Sequence, residues 1–300
     1  LKPLDVSGIH VQESFSIYPL RMAQNSFIIY CTISSSIINS LQNSFMYYFS
    51  LLILFSVSHE LFFICNLFFS LMLNYYDLNV HAYPETDAPI EELLRVAKRY
   101  GYTGIAITNH DEVVQEQPES NAVFYGVEIK ANSVFDLKRK VKLHWGKVSL
   151  LAVHGGNDKI NRAAVENPKV DVLAHPCGER GEVGLNHVLV RYAAKNSVAI
   201  DFNMDAIIHS RRGDRARTLG KMREHLKLVR KYNAPMILTS HAHSVYDLRA
   251  PREMIALAAL FGMSKEEATS ALCDIPAGIL DKRWKKDRDV EIRTSEGKRG

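Results

Sequence analysis

Histidine, asparagine, glutamate and aspartate recur in this chain directly after short apolar runs. They are Asn79 and His81, Asn109 and His110, Glu128, His154, His175, Asp201 with Asn203, and His241 with His243. Neutral imidazole and carboxylate together can hold zinc or manganese, so a metal site is the chemistry these residue types suggest. The competing reading is that they cap strand ends through hydrogen bonds, as a single histidine in such a place usually does. Six histidines at equivalent positions are poorly explained by chance, and the pattern points to descent from a metal enzyme, whatever the present activity.

Residues so far apart can meet only if the elements before them are arranged in a ring. From Tyr75 onward, apolar runs alternate with amphipathic stretches. Strands are predicted at Tyr75–Val80, Gly104–Thr108, Val123–Ile129, Val148–Val153, Val170–Ala174, Val198–Phe202 and Met236–Ser240. Helices are predicted at Pro89–Tyr100, Val134–Leu143, Asp158–Glu166, Leu185–Lys195, Arg215–Lys231, Pro251–Phe261 and Lys265–Leu272, with Pro89 and Pro251 in first turns and Gly101 and Gly262 just past helix ends. About seven successive βα units imply an α/β fold with parallel strands, and their number favours a closed or nearly closed TIM-like barrel. In such barrels the chemistry sits at the C-terminal strand ends.

The rest of the composition bounds less. With 37 basic and 33 acidic residues the net charge of +4 permits a polyanionic partner without demanding one. Cys31, Cys65, Cys177 and Cys273 form no C-x-x-C pair, which argues against a disulfide framework or a cysteine zinc site and for a reducing, cytoplasmic setting. No Gly-rich loop of Walker or dinucleotide type is present, and Ser240 has no G-x-S-x-G setting. Residues 1–71 differ in character: from Met22 to Leu73 the only carboxylate is Glu60, and no Lys or Arg occurs between Arg21 and Arg95. The apolar stretch from Met46 to Leu73 is long enough for a membrane anchor, but it lacks flanking basic clusters and a signal-peptide pattern. Its Phe, Ile, Asn, Tyr, Leu and Ser are what A/T-rich DNA yields in an open frame, and the favoured reading is a translated upstream region with a start at Met72, which argues against a membrane partner. The barrel is expected over 72–284, and 285–300 as a disordered charged tail.

The layout of the strand-end residues resembles the polymerase and histidinol phosphatase (PHP) superfamily, whose barrels carry H-x-H, D-H, then Glu, His, His and a final D-x-H around several metal ions. This chain has Asn79, Asn109 and His241 where that pattern has His, Asp and Asp, and Glu128 is the one carboxylate left at an expected position. Several divalent ions need several carboxylates, so a multinuclear centre is not expected. A single ion at His81, His110, Glu128 and the later histidines His154, His175, His241 and His243 stays open. Longer segments resemble the archaeal ribonuclease P protein component 3 family, the counterpart of the thirty-kilodalton eukaryotic subunit. They are His154-Gly155-Gly156, the run from Asn161 to Pro168, the run from Val170 to Pro176, Gly184-Leu185-Asn186-His187, Ile208-His209-Ser210-Arg211, and the run from Tyr246 to Glu253. The likeness spans Tyr75 to about Trp284.

That resemblance implies a TIM-like barrel serving as one protein subunit of the ribonucleoprotein that removes the 5′ leader from precursor tRNA. Its partners would be the ribonuclease P RNA, the other protein subunits including a small paired one, and precursor tRNA through the complex. It also implies that the RNA does the chemistry, that magnesium serves the particle, and that this chain has no catalytic residue and no tightly held cofactor of its own. The alternative is a surviving metal-dependent phosphoesterase or nuclease.

Independently of the family, the densest basic set is Arg211, Arg212, Arg215, Arg217, Lys221 and Arg223, read as a loop after the sixth strand that runs into a helix. Arginine forks grip phosphate, which makes this set the first choice for RNA contact. The alternative is a solvated segment whose arginines pair with Asp214 and Glu224. Lys138, Arg139, Lys140 and Lys142 form a second run, read as a solvated helix face. Arg162 is a candidate for either an RNA contact or a structural ion pair.

Overall fold

The computed structural model describes residues 73–114, 120–176 and 184–281. The readings made for residues 1–71 and 285–300 lie outside them. Seven parallel strands follow one another in space in chain order: β1 (Tyr75–Val80), β2 (Tyr102–Ile107), β3 (Val123–Ile129), β4 (Leu150–His154), β5 (Val172–Ala174), β6 (Ala199–Asn203) and β7 (Met236–Thr239). Helices among the described residues are α1 (Ile90–Tyr100), α2 (Val134–His144), α3 (Asp158–Val165), α4 (His187–Asn196), α5 (Asp205–Ile208), α6 (Arg212–Tyr232), α7 (Pro251–Ala259), α8 (Lys265–Leu272) and α9 (Asp274–Asp281). The first and last strands approach through a parallel bridge between Val80 and Ala242, with His81 N–H donating to the Ala242 carbonyl at 2.8 Å, so the barrel is nearly closed.

The two-residue strand period sorts each run into an outer and an inner set. Outward residues such as Val127, Ile129, Leu151, Val153, Leu173, Ile200 and Leu238 pack against Leu137, Ala164, Leu189, Leu226 and Met254 of the helices. Inward, Leu78, Ala106, Ala152, Val172, Ala199 and Ile237 form an apolar layer closed by Ile279 of α9. One pleat further toward the strand ends the inner layer turns polar, with Thr108, Glu128, Asp201 and Thr239 all buried. A register irregularity in β1 between Asp77 and Val80 puts Asn79 into that polar layer and Val80 into an outer apolar cluster.

Most boundaries fall within two residues of the sequence expectation, and three differences have physical causes. α6 begins at Arg212, not Arg215, so Arg212 moves from the expected loop onto the helix that already held Arg215, Arg217, Lys221 and Arg223. Arg215 is the reason: its guanidinium donates to the carbonyls of Ile207, Ser210 and Ile208 at 3.1, 3.0 and 3.2 Å, fastening the start of α6 to the end of α5. α5 has only 4 residues and too little periodicity to read. α9 contains Pro276, which sits in the first turn where no intrahelical donor is lost.

The connection from β4 to β5 sets the positions of two strand-end histidines. Gly156 has φ +97, open to glycine but strained for other residues. A Cβ on Gly155 would lie 2.5 Å from Asn161 Oδ1 and 2.7 Å from the Ala174 carbonyl oxygen. The fully buried Asn161 amide accepts from Gly156 N–H at 3.0 Å and donates to the Pro176 carbonyl at 3.1 Å, tying the turn after His154 to the turn after His175. Asn161→Ala leaves the buried Pro176 carbonyl and the half-buried Gly156 N–H without this partner, at about 1–3 kcal/mol for the buried group. Urea unfolding is expected to show that loss for Asn161→Ala and at least as large a loss for Gly155→Ala.

Candidate functional site

Every strand except β2 and β6 ends on or next to an imidazole or carboxylate that turns into the same mouth, and the loop after β2 adds His110. The rings of His81, His110, His154, His175, His241 and His243 close a circuit, with successive centroids 4.8, 5.1, 4.8, 4.2, 4.6 and 4.5 Å apart. Glu128, at zero exposure, lies beneath them. One of its oxygens is 2.6 Å from His154 Nδ1, 3.6 Å from His110 Nε2 and 3.7 Å from His175 Nε2. The other accepts from Asn79 Nδ2 at 2.8 Å and lies 3.8 Å from His81 Nε2. The seven metal-ligand candidates from the sequence therefore share one site.

Glu85, in the loop between β1 and α1, belongs to the site and was not anticipated. It lies 3.0 Å from His81 Nδ1 and 2.5 Å from His110 Nδ1, and accepts from His110 N–H at 2.8 Å. The signal available was its spacing of four from His81, unreadable without knowing that the loop folds back over the strand end. The two asparagines that depart from the superfamily pattern have structural work of their own. Asn79 bridges Glu128 to His81 Nε2, which lies 2.9 Å from its Oδ1. Asn109 latches both backbone groups of Ala82, at 2.9 and 2.8 Å. Asp201, counted with the strand ends, instead lies inside the barrel, where its Oδ1 accepts from Thr239 Oγ1 at 2.8 Å. Burial drives its carboxyl well above the ordinary range. Asp77, buried under the Ser240 N–H, is pushed up to about 6 by burial against its hydrogen bonds. Non-glycine residues hold left-handed backbone at three strand ends, Asp111 (φ 58), His175 (φ 47) and His241 (φ 51), a strain that collects where side chains must be aimed.

The charges divide cleanly. Burial would raise Glu128, but bonds from His110 and His154 and the His175 charge outweigh it and hold the carboxyl well below the usual range. Glu85 is held low in the same way by His81 and His110. For His110 burial works downward, yet Glu128 and Glu85 carry the imidazolium up to about 9. His175 falls to about 4 through burial and the other imidazoles, against the pull of Glu128. His241 falls to about 2, mainly through burial and the His175 and His81 charges, and His243 is lowered too. Ionised Glu128 and Glu85 beside the neutral imidazoles of His175, His241 and His243 suit a borderline divalent ion, whereas His110 would have to give up its proton to join them. Three groups each have ligand atoms within 4.8 Å of one another: His81, His110, Glu128 and His241; His81, Glu85 and His243; and Glu128, His154 and His175.

The basic candidates lie elsewhere and divide. Arg162, on α3, pairs with Glu166 at 2.8 Å. Arg217 pairs with Asp214, and Glu224 with Lys227 at 2.9 Å. Arg211 and Arg212, at the exposed start of α6, have no ion-pair partner among the described residues, and Arg212 holds a left-handed φ of 47°. In the second run, Lys140 is drawn to Asp111 at 2.8 Å and Arg139 to Asp136 at 2.8 Å. Among the described residues no helix is long and apolar enough to cross a membrane.

The lowered imidazoles carry a pH consequence. His175 and His241 have folded pKa values below the unfolded value of roughly 6.5, so the unfolded chain binds more protons under that pH and stability falls as pH drops from about 6.5 toward 4. The metal-free protein is expected to unfold at lower urea at pH 5 than at pH 7, with a shallower dependence in a variant carrying His175→Asn and His241→Asn. Equal midpoints at both pH values would contradict this.

Comparison with known proteins gives the chain its place. A family model described as RNase P subunit p30 matches residues 74–288. Ribonuclease P protein component 3 of Methanococcoides burtonii is 46% identical over 214 residues, covering 70% of this chain and 88% of that protein. The protein of the same name from Methanothermobacter thermautotrophicus is 38% identical over 223 residues, covering 70% and 90%. A chain in the cryo-EM structure of archaeal ribonuclease P with mature tRNA matches with a TM-score of 0.58 and 28% identity, covering 69% of this chain and 90% of that one. The seven-stranded barrel with its ring of strand-end histidines thus belongs to the RNase P subunit p30 family.

Proposed function

We infer that this chain is a protein subunit of ribonuclease P, holding the RNA component in the particle that trims the 5′ end of precursor tRNA in the cytoplasm. The observation that carries the reading is identity of 46% across 88% of a ribonuclease P protein component 3, together with the barrel match to a chain of archaeal ribonuclease P. Its partners are the ribonuclease P RNA and the other protein subunits, with magnesium serving the particle and the RNA doing the chemistry.

RNA contact is assigned first to Arg211 and Arg212. They stand, exposed, at the positive end of the 21-residue α6, where no side chain caps the helix. Arg217 and Lys221 lie further along the same helix and contribute general positive potential. Arg215 is occupied with carbonyls, and Arg162 with Glu166, so both act through structure. Each phosphate contact adds roughly 0.7–0.9 to the salt slope of binding. Arg211→Ala with Arg212→Ala is expected to weaken RNA binding and flatten that slope by one to two such steps; an unchanged slope removes the pair from the interface.

The strand-end ring supports a second assignment, a single divalent ion held by Glu128 and two or three neighbouring imidazoles, with a role in fixing the barrel mouth. A ligand at a hundred times its dissociation constant adds about 2.7 kcal/mol of stability. Zinc or manganese is expected to raise the melting temperature of the chain, and Glu128→Gln to abolish that rise. The competing reading, a working phosphoesterase, is favoured by the same ligand groups. It requires the isolated chain with manganese to cleave a generic phosphodiester and His81→Ala to stop it.

A further inference from the structure

Exposed large apolar side chains are unevenly spread over the described surface. Three of them fall in one short stretch, Phe135 at 80% exposed, Leu143 at 52% and Trp145 at 55%. Such clustering marks an interaction site, whereas scattered single residues do not. The stretch is α2 and the turn after it. Leu137 and Val141 take the helix's buried side, so at 100° per residue Phe135, Lys138, Arg139, Lys142 and Leu143 share the outward arc. Phe135 stands between cations on both flanks, and Lys169 Nζ lies 4.1 Å from the Trp145 ring centroid.

Carboxylates do not neutralise this arc. Asp136 is engaged by Arg139 at 2.8 Å and Lys140 at 3.5 Å, and Lys140 also by Asp111. Lys138, Lys142 and the exposed Lys147 have no ion-pair partner among the described residues. A solvated helix face needs cations but has no use for exposed Phe and Trp rings among them. A protein-binding face would have an apolar centre from which lysine is depleted, whereas here Lys138 and Lys142 share the exposed arc with Phe135. Aromatic rings interleaved with unpaired cations match one class of ligand, a strand whose bases are free to stack and whose phosphates follow at regular intervals.

We propose that the outer face of α2 and the turn at Trp145 bind a single-stranded stretch of RNA, with bases stacked on Phe135 and Trp145 and phosphates held by Lys138, Lys142 and Lys147. The proposal deepens the RNA-subunit reading and rests on it. It adds a second contact region, separate in sequence from the start of α6, and specifies that the RNA there is unpaired.

Trp145 and Trp284 are the two tryptophans of the chain, so the full chain carrying Trp284→Phe reports on Trp145 alone. Its fluorescence is titrated with a single-stranded RNA oligonucleotide and with a blunt RNA duplex of equal length. The single strand is expected to quench Trp145 saturably at concentrations where the duplex does not. Phe135→Ala, a change at an exposed position, is expected to weaken that titration by roughly tenfold, within the range measured for base stacking. Lys138→Gln and Lys142→Gln are each expected to lower the salt slope by about 0.7. Equal quenching by duplex and single strand, or a titration that Phe135→Ala leaves unmoved, overturns the proposal. So does a Phe135→Ala chain that binds RNA normally but loses a protein subunit from the reconstituted particle, which gives the face to a protein. The two readings separate cleanly: failure of every RNA to bind strikes the RNA-subunit reading, whereas binding without Phe135 dependence strikes only this face.

Discussion

Glu128 is a carboxylate with zero exposure at the end of a central barrel strand, and most of the mouth follows from what it requires. A buried charge without partners costs several kcal/mol or reverts to its neutral form. Here it stays ionised because Asn79, His81, His110, His154 and His175 converge on its two oxygens from four other strand ends or the loops after them. Convergence from so many elements is possible only when parallel strands of matched register close into a ring. The apolar layer below, from Leu78 round to Ile237, brings those ends to one level. The Asn161 latch then fixes the separation of the β4 and β5 ends, which explains why the glycine pair and the asparagine occur together in the sequence.

The same network explains the departures from the metal-enzyme pattern. Asn79 supplies an amide to Glu128 where a histidine would supply a ligand, and Asn109 holds backbone where an aspartate would hold an ion. At both positions the neutral side chain makes hydrogen bonds within the fold. Glu85 partly offsets the loss from a loop, giving His110 and His81 a second carboxylate.

The strands, the barrel and the seven metal-ligand candidates were legible because they rest on periodicity: apolar runs of strand length, each followed by a polar residue that the pleat turns inward. Glu85 and Asp77 were not. Glu85 reaches the site through a loop whose path is set by contacts distant in sequence, and Asp77 enters the interior beside an irregularity in β1 that no pattern of two reveals. The helix start at Arg212 was hidden for a related reason. Arg215 starts the helix by covering carbonyls of α5, and a cation doing backbone work looks in sequence like one awaiting a phosphate. On α2 the basic run is legible but the exposure of its rings is not, since whether Phe135 points to core or solvent depends on which face Leu137 and Val141 take.

The barrel keeps its histidine ring at the strand ends and carries cations without ion-pair partners among the described residues at the start of α6 and on α2, the two surfaces proposed above for RNA. The most direct test is precursor-tRNA cleavage by the reconstituted particle, with and without this chain, beside the isolated chain given manganese and the same substrate. Cleavage that needs the RNA, rises when the chain is added and survives His81→Ala is the expected result. Cleavage by the isolated chain that His81→Ala abolishes would contradict the account.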